Sequence, residues 1–292
     1  MHVRPPLCVA GLPQPERSLV MGVLNVTPDS FSDGGRWFEP ELAVKRGRQL
    51  VSDGADLVDV GGESTRPGAT RPSVEEELDR VIPVVTALAA EGALLSVDTM
   101  RAEVAREALG AGAVLINDVS GGRADSRMFE TVAAARAPYV LMHWRGHSDR
   151  MQECSQYDDV VADVMSELRE QLDLALAAGI TPERIALDPG IGFSKTADQN
   201  WDVLAAMTEL HALGHPLLVA ASRKRFLGVL LSDANGELRP PDQRDDATTA
   251  TSALAAVAGA WCIRTHAVRA SADAVRVAAR WARRGAGLGS GQ

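Results

Sequence analysis

The chain has 292 residues, with 30 basic against 39 acidic side chains for a formal charge of −9, and is 46% hydrophobic and 24% charged. These are globular averages, which exclude disorder, collagen and coiled coil, and the length suits one large domain or two small ones. No apolar run nears the roughly 20 residues that span a bilayer. Leu7 to Leu12, confined between prolines, is too short for a secretory core, and an acidic chain without Lys/Arg blocks speaks against a nucleic-acid surface, so a cytoplasmic location is expected.

Residues 1–17 hold four of the fifteen prolines and read as an N-terminal arm. From there, short continuously apolar runs recur at Leu19 to Leu24, Leu57 to Val60, Leu94 to Val97, Ala113 to Ile116, Tyr139 to Met142, Ile185 to Leu187, Leu217 to Ala221 and Ala260 to Ile263. Runs this short without alternation are the mark of strands buried on both faces of a parallel sheet. Between them lie helical patterns. Leu78, Val81, Ile82, Val85 and Leu88 recur at helical spacing behind a Ser73–Glu76 capping box, with a kink expected at Pro83. Val161, Val164, Leu168, Leu172 and Leu176 mark a long helix closed by Gly179, with Pro182 just beyond. The runs recur about every 34 residues, the length of a βα unit. Eight units suit a single-domain (β/α)8 TIM barrel over residues 18–284, followed by a flexible tail at 285–292. A doubly wound open sheet is the competing architecture.

In such a barrel the chemistry sits where the strands end. The runs close on Asn25, Gly61-Gly62-Glu63-Ser64-Thr65-Arg66, Asp98, Asn117, His143, Asp188, Ser222-Arg223-Lys224 and Arg264-Thr265-His266. Taken singly, each has a plain reading: Asp98 could cap the next helix, and Asp188-Pro-Gly could be a turn. Asn25 opens a formal glycosylation sequon, which an expected cytoplasmic location sets aside. His143/His147 and His211/His215 are each four apart, but neither pair has a third ligand nearby or a helical zinc pattern. Cys8, Cys154 and Cys262 are odd in number and form no CxxC, so no disulfide framework or structural zinc site is suggested. Lys224, directly after a strand, suits an anion or a polar heterocycle. Arg264 and His266, two apart in an extended segment, point the same way and could share a phosphate. Val26 to Gly35, with Phe31 among hydroxyls and carboxylates, reads as a binding loop or lid, or as a solvated turn.

Six stretches then carry a resemblance: Gly22-Val-Leu-Asn-Val-Thr-Pro-Asp-Ser-Phe-Ser-Asp-Gly-Gly35, Asp59-Val-Gly-Gly-Glu-Ser-Thr-Arg-Pro-Gly-Ala69, Ser96-Val-Asp-Thr99, Ile116-Asn-Asp-Val-Ser-Gly-Gly122, Leu187-Asp-Pro-Gly-Ile-Gly-Phe193 and Ser222-Arg-Lys-Arg-Phe-Leu-Gly228. In this order they closely resemble the motifs of the dihydropteroate synthase family, from about Leu19 to Trp281. The resemblance implies a homodimeric (β/α)8 barrel that joins 4-aminobenzoate to (7,8-dihydropterin-6-yl)methyl diphosphate in folate biosynthesis, a transferase inhibited by sulfonamides. It implies Asn25 as the ligand of Mg²⁺, and Arg264, His266 and Thr65 at the diphosphate. Asp98, Asn117, Asp188 and Lys224 would hold the pterin, with Met142 as an apolar wall. Phe31, Arg66, Pro67, Phe193 and Ser222 would surround 4-aminobenzoate, Phe31 and Arg66 on mobile loops. Asp98, Asp188, Lys224, Arg264 and His266 would carry catalysis by stabilising the leaving anion and the developing cation, with no covalent nucleophile and no indispensable general base.

One departure stands out. After His266 the family carries Asp-Val, whereas this chain has Ala267-Val268, and Thr265 replaces the usual valine; the carboxylate that would orient the histidine is gone. Two alternatives compete with this reading: a pterin-binding barrel of the methyltetrahydrofolate-binding type found in corrinoid methyltransferases, and a non-catalytic pterin-binding paralogue. Thr65-Arg66-Pro67, Ser222-Arg-Lys and Arg264-x-His266 speak against the first, and only Ala267 hints at the second.

Overall fold

The computed structural model describes residues 6–27, 40–63, 71–146 and 155–288. Eight strands are present among these: β1 Leu19–Asn25, β2 Leu57–Gly61, β3 Leu95–Asp98, β4 Leu115–Asp118, β5 Tyr139–Met142, β6 Ile185–Asp188, β7 Leu218–Val219 and β8 Cys262–Thr265. Each overlaps a predicted apolar run, with β4 and β8 set two residues later than theirs, because a strand covered on both faces has no position that must be polar. All pairings are parallel in the order β6-β5-β4-β3-β2-β1-β8-β7. An isolated parallel bridge from Leu187 to Leu217 joins β6 to the segment entering β7, closing the (β/α)8 barrel. The seventh strand is shorter than its apolar run. Pro216, just ahead, has no N–H to give and contributes only its carbonyl, which accepts from Leu187 N at 2.8 Å.

Strand parity divides the core. One set of alternate residues (Val58, Val60, Leu95, Val97, Ile116, Leu141, Leu187, Val219 and Ile263 among them) packs against the helices. The other set (Leu19, Met21, Leu57, Leu115, Val140, Ala186, Leu218, Ala220 and Cys262) fills the barrel interior. Val9 and Leu12 join this interior set, so part of the N-terminal arm closes the barrel from below. Ala10 N donates to Glu183 O at 2.7 Å, and Arg17 forks onto Asp56 at 2.7 and 2.8 Å.

The helices begin and end by local rules. The capping box forms as expected: Ser73 Oγ accepts from Glu76 N at 3.1 Å and Glu76 Oε2 accepts from Ser73 N at 2.7 Å, opening helix Val74–Ala90. That helix runs uninterrupted through Pro83. Helix Val160–Ala177 starts at Asp159, whose carboxylate accepts from Val161 N and Ala162 N, and is followed by Gly179 at φ +98°, which glycine adopts without a Cβ clash. The C-terminal helix spans Val268–Leu288. Among the described residues, no helix is long and apolar enough to cross a membrane.

Candidate active site

The strand parity that fills the barrel with apolar side chains also lifts polar ones to its mouth. Asn25, Gly61, Asp98 and Asn117 are successive register partners across β1 to β4, and Met142 pairs with Asp188 across β5 and β6. Asp59, Arg264, Ser222 and His266 share that inward parity. Asp118, one residue beyond Asn117, faces the other way. Its buried carboxylate accepts from Tyr139 Oη at 2.7 Å, Ser120 Oγ at 2.6 Å and Gly122 N at 2.9 Å, shaping the loop after β4.

The centre of the mouth is a charge cluster. Arg264 donates from Nε to Asp59 Oδ2 at 2.6 Å and from Nη2 to Asp98 Oδ2 at 2.7 Å, and Asn117 Nδ2 donates to the same Asp59 oxygen at 3.0 Å. Asp59 is fully buried, and its Oδ1 has no hydrogen-bond partner among the described residues. Burial works against the Arg264 charge, but Asp59 and Asp98 outweigh it and raise its pKa further. Burial pushes Asp98 up to about 7, with Arg264 restraining it and Asp59 adding to the rise. Asp59 did not emerge from the sequence as a site residue. Its signal was positional: it lies two residues before Gly61 on the inward parity of β2.

On the opposite side, the turn after β6 and the segment after β7 meet. Asp188 Oδ1 accepts from Gly190 N at 2.7 Å, and burial raises its pKa against the pull of Lys224. Lys224 Nζ donates to Ile191 O and lies 4.5 Å from the Phe193 ring centre; burial pulls it down to about 8. Phe193 and Met142 belong to one apolar patch with Met100 and Val119. Ser222 Oγ accepts from His266 N at 3.0 Å and lies 3.0 Å from His266 Nδ1. The hydroxyl can donate to Nδ1 or accept from it, so the ring tautomer sets the direction of this bond. Burial, with Arg264 adding, drops His266 to about 3, so it is a neutral donor near pH 7. Ser222 thus holds the histidine from its ring and its backbone, and Ala267 adds no carboxylate.

Asn25 lies beside this cluster: a point one Cβ out from Gly61 is 3.8 Å from both Asn25 Oδ1 and Asp98 Oδ2. A single hard amide oxygen fits Mg²⁺, which keeps most of its shell as water and phosphate oxygens. A site built wholly of protein ligands does not fit, since no cluster of three or more His, Cys, Asp or Glu is present among the described residues. Phe31, Thr65, Arg66, Pro67 and His147, together with most of the predicted loop from Val26 to Gly35, lie outside the described residues. The remaining histidines of the paired spacings bond to carbonyls: His211 Nε2 to Ala258 O at 3.0 Å and His215 Nδ1 to Ile185 O at 3.2 Å.

The pterin binding enzyme family model matches residues 21–266. The dihydropteroate synthase of Mycobacterium leprae is 55% identical over 263 residues, 90% of this chain and 93% of that one. Among solved structures, the Xanthomonas albilineans dihydropteroate synthase with 4-aminobenzoic acid has a TM-score of 0.83 at 46% identity, covering 92% of this chain and 94% of that one. The Yersinia pestis dihydropteroate synthase in a sulfonamide drug complex has a TM-score of 0.86 at 42% identity, covering 96% and 99%. With the barrel, the polar mouth and these relatives in agreement, the chain belongs to the pterin-binding enzyme family and, within it, to the dihydropteroate synthases.

Proposed function

We infer that this chain condenses (7,8-dihydropterin-6-yl)methyl diphosphate with 4-aminobenzoate to give 7,8-dihydropteroate and diphosphate in folate synthesis. The observation that carries this is the inward row of Asp98, Asn117 and Asp188 beside Arg264 and Lys224, in a chain so similar to named synthases. The two acids and the amide suit the amino-pyrimidinone edge of a pterin, with Lys224 beside it and Met142 as apolar wall. Arg264, His266 and Thr65 take the diphosphate, and Phe31, Arg66, Pro67, Phe193 and Ser222 take 4-aminobenzoate. Asn25 would hold Mg²⁺, whose charge neutralises the diphosphate.

In the reaction, the bond between the pterin methylene carbon and the diphosphate oxygen breaks, and diphosphate leaves with the electron pair. The amine of 4-aminobenzoate donates its lone pair to that carbon, and the surplus proton passes to solvent. Arg264 and His266 stabilise the leaving anion, while Asp98 and Asp188 stabilise cationic character on the ring. The amine is neutral at pH 7, so holding it in line matters more than removing its proton.

The finer points of this reading are a homodimer, sulfonamide inhibition and a cytoplasmic location. The Yersinia pestis relative in its sulfonamide complex supports the second. Exposed Leu254, Val277 and Trp281 on the adjoining helices Asp245–Val257 and Val268–Leu288 support the first, which sedimentation equilibrium checks. The deciding assay is diphosphate release with Mg²⁺ and the pterin substrate, with and without 4-aminobenzoate, followed by mass detection of dihydropteroate. Product that depends on 4-aminobenzoate is the expected result. Tight pterin binding without product would leave the chain a non-catalytic paralogue.

A further inference from the structure

Behind the turn at residues 188–193 runs a chain of polar groups, buried at His143 and half-buried at either end, that the reaction above does not use. Lys195 Nζ donates to Gly190 O at 3.1 Å and Phe193 O at 3.3 Å, and stands 3.1 Å from His143 Nδ1. The other ring nitrogen, Nε2, is 3.0 Å from Glu167 Oε2 on helix Val160–Ala177. Arg145 grips the same carboxylate through Nε and Nη2 and stacks 3.7 Å above the Tyr157 ring. The His143 side chain is 1% exposed. An ammonium has no lone pair, so Nδ1 must accept, and the ring proton lies on Nε2, where it is donated to Glu167. Burial would raise Glu167, but hydrogen bonds from His143 and Arg145 outweigh it and hold it at about 2, so the acceptor end stays charged. Each link fixes the direction of the next.

The turn has reason to need an external hold. Gly190, Gly192 and Ser194 all have positive φ, at +69°, +80° and +47°, and for Ser194 that region is costly. Lys224 also bonds to the turn, through Ile191 O, but the proposed reaction gives Lys224 a ligand to meet. All three N–H groups of Lys195 are occupied by the turn and by His143, which leaves it no second task.

We propose that Lys195 is a positioning residue for the condensation: its ammonium, aligned by His143 and Glu167, holds the turn that presents Asp188 and Phe193 to the two substrates. This rests on the substrate assignment above. Lys195 touches no substrate and acts through Gly190 and Phe193, which makes binding, rather than the chemical step, the quantity it controls.

The test uses the full chain. Lys195→Met is expected to raise KM for both substrates about ten-fold, as for loss of a hydrogen bond to a charged group, while kcat falls less than about three-fold. Glu167→Gln, at the far end of the chain, should shift both KM values the same way by less. The imidazole ¹⁵N spectrum, with the His143 signals assigned by their loss in His143→Gln, should show Nε2 protonated and Nδ1 bare below about pH 7, where Lys195 is charged. A folded Lys195→Met protein with unchanged KM values, or a His143 protonated on Nδ1, overturns the proposal. Should Lys195→Met fail to fold, the wild-type tautomer and Glu167→Gln still decide it. Should the wild type make no dihydropteroate, the functional reading falls, while the tautomer still decides whether the clamp exists.

Discussion

At the barrel mouth two carboxylates compete for one guanidinium. Asp59 is wholly buried and keeps Arg264 Nε, whereas Asp98 holds only Nη2 and is the acid that burial pushes up to about 7. Pterin recognition as proposed needs Asp98 ionised and Lys224 protonated, and burial sets the latter at about 8. The kcat/KM for pterin diphosphate should therefore rise as pH climbs through about 7 and fall beyond about 8, a narrow bell. Lys224→Met is expected to remove its own share of the alkaline limb, leaving the part that loss of the Lys195 ammonium adds above about pH 7, and to keep the acid limb in place, as read from kcat/KM across the pH range. The same shift has a stability side. The folded pKa of Asp98 lies above its unfolded value near 3.8, so the folded state binds more protons between there and about 7, and stability falls as pH rises across that window. Asp98→Asn should lose most activity yet gain melting temperature relative to wild type as pH climbs through the window. Equal slopes in the two proteins would show that Asp98 is not strained by its burial.

At the scale of elements, turns and caps decide where side chains arrive. Gly190 is the sharpest case: φ is +69° and a Cβ there would be driven into the His143 carbonyl. Gly190→Ala is expected to cost at least ~2 kcal/mol in urea unfolding and to disturb Asp188, which is bonded to Gly190 N. Wild-type stability with wild-type KM would show that the turn yields more easily than its geometry implies. The capping box at Ser73 and the glycine stop at Gly179 were legible in the sequence because both are local, depending on residues within four positions of each other. The Lys195–His143–Glu167 chain was not. Its members lie 24 and 52 positions from His143, and only the neighbouring positions of β5, the turn after β6 and helix Val160–Ala177 bring them together.

At the scale of the whole molecule, closing the barrel creates an interior with two ends. The upper end holds the charges, and the lower end is stopped by Val9 and Leu12 from the segment whose prolines mark it as an N-terminal arm. Leu12→Ala is expected to cost ~2–3 kcal/mol of stability, lowering the melting temperature, while kcat stays at its wild-type value because the plug and the mouth lie at opposite ends of the strands. A fall in kcat at unchanged stability would contradict that separation.

The sequence by itself determined the place of the strands, the start of one helix at Ser73 and the stop of another at Gly179, the barrel, and the polar residues of its mouth other than Asp59. Runs buried on both faces must be apolar, strand length sets the beat, and period two assigns every inward residue once a single one is known. Tertiary structure alone decided which of those residues bond to one another. Asp59 as the anchor of Arg264, Ser222 as the orienting partner of His266, and the arm as a plug all join positions far apart in the chain, and hydrogen-bond partners at such separations are chosen by strand order and burial rather than by any local pattern.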